Sequence, residues 1–262
     1  TVKDGKAGGE IHISPQYGRG DMKDIDAALA LHAQAGFSSD RVIFCLYSTF
    51  HPKRNSAYQA TIGDIGPYKP YSGEWKIACR YLIETFQRMA EKHGLKPVFL
   101  LTGEISNYGL AGVDEEERMY KTLREMKIPG LVLMDNVNGV EEAKRFSPFV
   151  DHHGINLADV PIGVVKGLGR KAFHIYAKVY ESRFERGFYA WKVGANGFYD
   201  EFYFSLMDDP FNDFDNFGDW PSISYVRLGP DGPIRTPLAE TFREGLDDTR
   251  YLFTLASLVK KA

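Results

Sequence analysis

Only two cysteines, Cys45 and Cys79, occur in the 262 residues. Each sits in an apolar pattern, so a disulfide framework is not expected to hold the fold together. No apolar run reaches the ~18 residues of a membrane helix. Neither sign of charge dominates: 32 Lys and Arg face 35 Asp and Glu, a formal net charge of -3. With no basic run, nucleic acid and anionic membrane surfaces are not expected as partners. The first strand–helix turns lack Gly-x-Gly-x-x-Gly, and no strand leads into a phosphate-binding P-loop. His-Glu-x-x-His and His-x-His are both missing, and His152 and His153 are adjacent, so no metal centre is expected. Asp213, Asp215, Gly218 and Asp219 resemble part of a calcium loop without its distal glutamate and read as a solvated turn. Neither cysteine has a plausible His–Asp partner, which argues against a thiol nucleophile. No cofactor is expected.

What is present is an ordinary globular composition, 26% charged and 44% hydrophobic, which excludes disorder, collagen and coiled coil for the whole chain. Aromatics reach 14% and glycines number 26, a combination that suits elaborate loops around an apolar-faced site or a bulky core. The chain starts at Thr1 with no signal-peptide pattern and reads as a piece of a longer protein, its compartment not legible.

Short β-type runs alternate with amphipathic helices. Strands are expected at 11–13, 41–47, 98–101, 131–134, around 149–150, at 173–179 and at 197–204, several with the unbroken apolar character of strands buried on both faces. Helices are expected at 21–35 before Gly36, at 72–93 before Gly94, and from a capping box of Asp114 and Glu117 towards Pro129. Two more are expected at 183–193, with Phe184, Phe188 and Trp191 on one face, and from Thr236 with Pro237 at its first position. Strand–helix alternation makes this an α/β protein with parallel strands. At this length a single (β/α)8 TIM-type barrel over 1–262 is preferred to an open doubly wound sheet, although seven strands are counted and the N-terminal end of the barrel is incomplete or irregular. Two long connections, 48–71 and 205–235, follow strand ends, and in a barrel that is the active face.

Carboxylates gather at those strand ends. Glu104 follows the 98–101 strand, Asp135 and Asn136 end the next, Asp151 and His152 the one after, and Asp200 and Glu201 lie in the last. Charged groups there need solvation or a partner, so they mark a polar pocket. Two such carboxyl groups are the machinery of glycoside hydrolysis, in which one protonates the leaving oxygen while the other attacks or activates water. In the strand containing Asp200 and Glu201, alternation sends adjacent side chains to opposite faces, so at most one of the two enters the pocket. The 205–235 connection interleaves Phe211, Phe214, Phe217 and Trp220 with Asp209, Asn212, Asp213, Asp215 and Asp219, a mixture that matches the apolar face and hydroxyl edge of a sugar. Tyr58, Tyr68 and Tyr71 in the other connection either bind ligand or pin the loop. Tyr47, at the end of the 41–47 strand, joins Asp135, Asp151, His152, Asp209 and Trp220 as an expected substrate-binding residue.

The run Arg-Phe-Glu-Arg-Gly-Phe-Tyr-Ala-Trp-Lys-Val-Gly-Ala-Asn-Gly-Phe-Tyr at 183–199, followed by Phe-Arg-Glu-Gly-Leu-Asp-Asp-Thr-Arg-Tyr-Leu at 242–252, resembles the closing third of glycoside hydrolase family 123-type catalytic domains. The resemblance implies a barrel glycosidase, with N-acetyl-β-galactosaminidase as the family's own activity, and slightly favours an extracytoplasmic location. Members of that family use an adjacent Asp-Glu pair after a central strand, the Asp orienting the substrate's acetamido group and the Glu acting as acid/base. Here the matching place reads Gly103-Glu104, so the acid/base is kept and the orienting aspartate is not. An alternative is a protein nucleophile, Glu201 or Asp200, opposite Glu104. The function expected is thus hydrolysis of a glycosidic bond in an oligo- or polysaccharide, with Glu104, Glu201 and Asp200 as catalytic candidates. The alternatives are a catalytically silent carbohydrate-binding barrel and a different barrel enzyme, such as a lyase or metal-dependent hydrolase.

Overall fold

The computed structural model describes residues 1–9, 11, 22–36, 42–46, 53–56, 59–61, 65, 67–101, 109–155, 162–169, 171–174, 183–198 and 226–261. In chain order these form β1 (Val2–Lys3), β2 (Lys6–Ala7), α1 (Met22–Gln34), β3 (Val42–Cys45), β4 (Lys53–Ser56), β5 (Gln59–Thr61), α2 (Gly73–Lys92) and β6 (Pro97–Leu100). There follow α3 (Gly109–Glu125), β7 (Leu133–Val137), α4 (Val140–Phe146), β8 (His152–Ile155), α5 (Ile162–Gly167) and β9 (Lys171–His174). A π-helical turn (Glu185–Tyr189) then runs into α6 (Ala190–Val193), and β10 (Gly197–Phe198), β11 (Val226–Gly229), β12 (Gly232–Arg235) and α7 (Pro237–Val259) complete the order. The chain is an α/β protein. Its contacts divide it into two compact units, Thr1–Val137 with Glu141–His152, and Asn138–Val140 with His153–Ala262.

In the first unit β3, β6 and β7 pair in parallel, Phe44 opposite Phe99 and Phe99 opposite Leu133. Every residue of β6 and β7 is buried, so both faces of these strands are covered, as the apolar run of β6 predicts and although β7 includes Asp135 and Asn136. Helix α2 begins where Ser72 accepts the Trp75 N–H, and ends at Gly94, whose φ of 70° is the left-handed conformation a glycine adopts without strain. It buries Trp75, Cys79, Ile83, Phe86 and Ala90 along one stripe. Each large apolar side chain removed from water contributes about 1.5–3 kcal/mol. Burial pushes the Cys79 thiol pKa up, so this cysteine behaves as a core residue and not as a nucleophile.

Two local expectations give way here, and one open reading is decided for two of its residues. The helix expected to start at Asp114 starts at Gly109, so Asp114 and Glu117 lie inside α3; instead of capping it, both bind the Arg145 guanidinium. The 48–71 connection contains the antiparallel β4–β5 hairpin. Its tyrosines at 68 and 71 are pinning residues: the Tyr68 hydroxyl accepts the Val2 N–H at 2.5 Å, and the Tyr71 hydroxyl donates to Glu115 Oε1 at 2.8 Å. The Arg118 guanidinium lies 4.1 Å from the centre of the Tyr71 ring. Tyr58 lies outside the described residues.

In the second unit β8, β9 and β10 are neighbours in chain order, with β9 and β10 parallel. The antiparallel β11–β12 hairpin leads into α7, where Thr236 accepts the Ala239 N–H and Pro237 takes the first position, as the sequence predicts. The 183–199 and 242–252 runs meet in this unit. Arg183 donates to both oxygens of Asp248, Nε to Oδ2 and Nη2 to Oδ1 at 2.6 Å each, and Nη1 reaches Glu244 at 3.2 Å. The bidentate guanidinium holds the Asp248 carboxyl below its usual range. Beneath this pair the π-turn and α7 approach so closely that a Cβ on Gly187 would lie 2.9 Å from both the Asp248 Cβ and the Gly245 carbonyl oxygen. Phe184, Phe188 and Trp191, expected as the inward face of 183–193, are exposed instead; the buried positions are Gly187 and Ala190. Small residues win that face because they let the two backbones come together.

A methyl group at Gly187 has nowhere to turn, since its neighbours are a backbone oxygen and a Cβ. Gly187→Ala is therefore expected to destabilise the protein by about 1–3 kcal/mol, despite alanine's better helix propensity, in urea unfolding. An unchanged or higher stability would show that the two backbones are not in contact there.

Candidate active site

Strand alternation decides which side chains share a face. The Phe44 ring lies 4.9 Å from that of Phe86 on α2 and stacks 5.7 Å from that of Phe99. The face carrying Phe44 and Phe99 is thus the one α2 covers. Leu133 is level with Phe99, so Leu133, Asp135 and Val137 share that face, while Val98, Leu100, Met134 and Asn136 point the other way. Asp135, expected at a pocket mouth, is wholly buried on the helix-covered face. Asn136, at the carboxyl end of β7, faces away from it. Only 8% of Asn136 is exposed, and its buried Oδ1 has no hydrogen-bond partner among the described residues. A buried acceptor left unpaired costs about 1–3 kcal/mol, so such an atom at a strand end is a place for a ligand's donor. Sequence reading noted Asn136 only beside Asp135. The signal that singles it out is the alternation, counted from the two phenylalanines.

Asp151 sits elsewhere than expected. Residues 147–149 form a turn, 150 and 151 belong to no strand, and β8 starts at His152, so Asp151 stands at the entrance of a strand and not at its exit. Its Oδ2 accepts from Arg124 Nη2 at 2.6 Å and from the Leu133 N–H at 2.8 Å, while its own N–H donates to the Leu133 carbonyl at 2.9 Å. Arg124, in the last turn of α3, also donates to the carbonyls of Phe149 and Leu131. One guanidinium thereby ties a helix end to the starts of two strands, a structural task at the amino ends of the strands. His152, next along, is buried at the first position of β8.

Comparison with models of protein families finds no match, and comparison with curated proteins finds no significant relative. Glu104, Asp200, Glu201, Tyr47, Asp209 and Trp220 lie outside the described residues. Leu101, three residues before Glu104, is completely buried just past β6. Among the described residues no group of three or more His, Cys, Asp or Glu could hold a metal ion, and no helix is long and apolar enough to cross a membrane. Within the 183–199 and 242–252 runs, Arg183, Gly187, Gly245 and Asp248 join the π-turn to α7.

Because Asp151 is a clamp at the wrong end of the strands for catalysis, its loss should act on stability alone. Asp151→Asn is expected to cost about 1–3 kcal/mol in unfolding free energy, the range for hydrogen bonds to a charged group, with ligand affinity unchanged. Calorimetry checks both. A variant of undiminished stability and weakened ligand binding would return Asp151 to the site.

Proposed function

We propose that this chain is a glycoside hydrolase built on a (β/α)8 barrel, with Glu104 as acid/base. The observation that carries the reading is the buried, unpartnered Oδ1 of Asn136 on the face opposite α2, at the end of the strand that pairs with β6. Glu104 lies an even number of residues beyond Val98 and Leu100, the two side chains of β6 that share the Asn136 face. A sugar hydroxyl is the donor such an oxygen lacks, and the glycosidic oxygen is the base that a protonated carboxyl group serves.

The chemistry asks for a second acid. Asp200 and Glu201 are the candidates for that role; a double displacement requires carboxyl groups ~5–5.5 Å apart, and direct attack by water requires ~6.5–9.5 Å. The glycosidase family resemblance supports the same reading, and Gly103 in place of that family's aspartate favours a protein carboxylate over the substrate's acetamido group. That same glycine favours a second reading, a barrel that binds carbohydrate without cleaving it.

The test separates them. Glu104→Gln is expected to slow hydrolysis of natural glycans by about 10²–10⁴-fold, yet to spare aryl glycosides whose leaving group needs no proton. Oligosaccharide binding with no product from wild type would favour the silent barrel, and an unchanged rate in Glu104→Gln would remove Glu104 from the mechanism.

A further inference from the structure

The second unit carries an apolar surface that its own packing does not use. Phe184, Phe188 and Trp191 recur at i, i+4 and i+7, the spacing of one helical face, and all three are exposed. On α7, which packs against the same π-turn, Tyr251, Leu255 and Leu258 recur at the same spacing and are exposed too, Tyr251 by 75%. The inward contacts of the two segments are made by Gly187, Gly245 and Asp248. Both stripes therefore stand on adjoining elements, outside the contact that joins them.

We infer that this face is the interface through which two copies of the chain associate. The six side chains present on the order of 700 Å², close to the ~800 Å² that each partner contributes to a standard interface, and above the ~300–600 Å² patch common on monomers. A twofold contact needs one self-complementary patch and no second partner. Along the first half of α7 the acids are paired with arginines, Glu240 and Asp247 with Arg243, Asp247 also with Arg250, and Glu244 with Arg183, so no block of one charge sign opposes a second copy there. The aromatic stripe supplies the rigid, low-entropy anchors that dominate interface energetics. Dimerisation rests on this surface alone and does not depend on the hydrolase reading.

Sedimentation velocity of the whole chain tests it. At micromolar concentration the wild type is expected to sediment at twice the mass of the 29.6 kDa chain. Leu255→Glu and Trp191→Glu are each expected to weaken the dimer by at least about tenfold with unchanged far-ultraviolet circular dichroism. Tyr251→Ala provides a milder variant should either charge substitution fail to fold. Leu110→Glu, at a still more exposed leucine of the first unit, is the control and should leave the dimer intact. A monomeric wild type would overturn the proposal, including one that adheres to phosphatidylcholine vesicles and so assigns the patch to a lipid surface. A dimer insensitive to all three patch variants would overturn it as well.

Discussion

Burial of β6 and β7 on both faces is the constraint on which the rest depends. A strand covered from both sides must give its backbone polar groups to its neighbours and fill both flanks with side chains that need no water. Pro97–Leu100 meets that demand without a polar side chain, whereas Leu133–Val137 does so with Asp135 and Asn136 included. The strand ends are then where a polar group can meet a ligand, and chemistry is confined to whatever the sequence places there. Asp135 and Asn136 are adjacent in sequence, yet their faces differ in kind: one is covered by a helix, and the other carries an acceptor without a partner among the described residues.

The helix ends were the most legible part of the sequence, because they rest on short-range chemistry. Ser72 and Thr236 accept N–H groups from the third residue on, and Gly36, Gly94 and Gly194 adopt the positive φ that ends a helix. Strand type was legible too. Less so was register, since a run of apolar residues does not announce where pairing begins. β8 starts two residues later than the 149–150 run suggests, and that shift moves Asp151 from the exit of a strand to its entrance. Asp114 and Glu117 failed as a capping box because Arg145, distant in sequence, offered both carboxylates a stronger partner than the local backbone. The stripe of Phe184, Phe188 and Trp191 has the right period for a core face. The close approach of Gly187 to Gly245 turns it outward, and nothing in the local sequence weighs one face against the other.

The runs on which the proposed glycosidase likeness rests also build the packing of the second unit. Several residues that carry the likeness, Arg183, Gly245 and Asp248 among them, join a π-turn to the last helix, so what they encode is the closing architecture of the fold. A motif of this kind carries information about the scaffold more directly than about the reaction. The proposed reaction rests on a different part of the chain, on Glu104, which lies outside the described residues, and on Asn136.

The most direct measurement is a crystal structure of the Glu104→Gln variant with an oligosaccharide bound. The account predicts a glycosidic oxygen within hydrogen-bond distance of residue 104, and a sugar hydroxyl donating to Asn136 Oδ1 on the face away from α2. A sugar bound elsewhere, or a residue 104 side chain turned to the helix-covered face with Asp135, would contradict it.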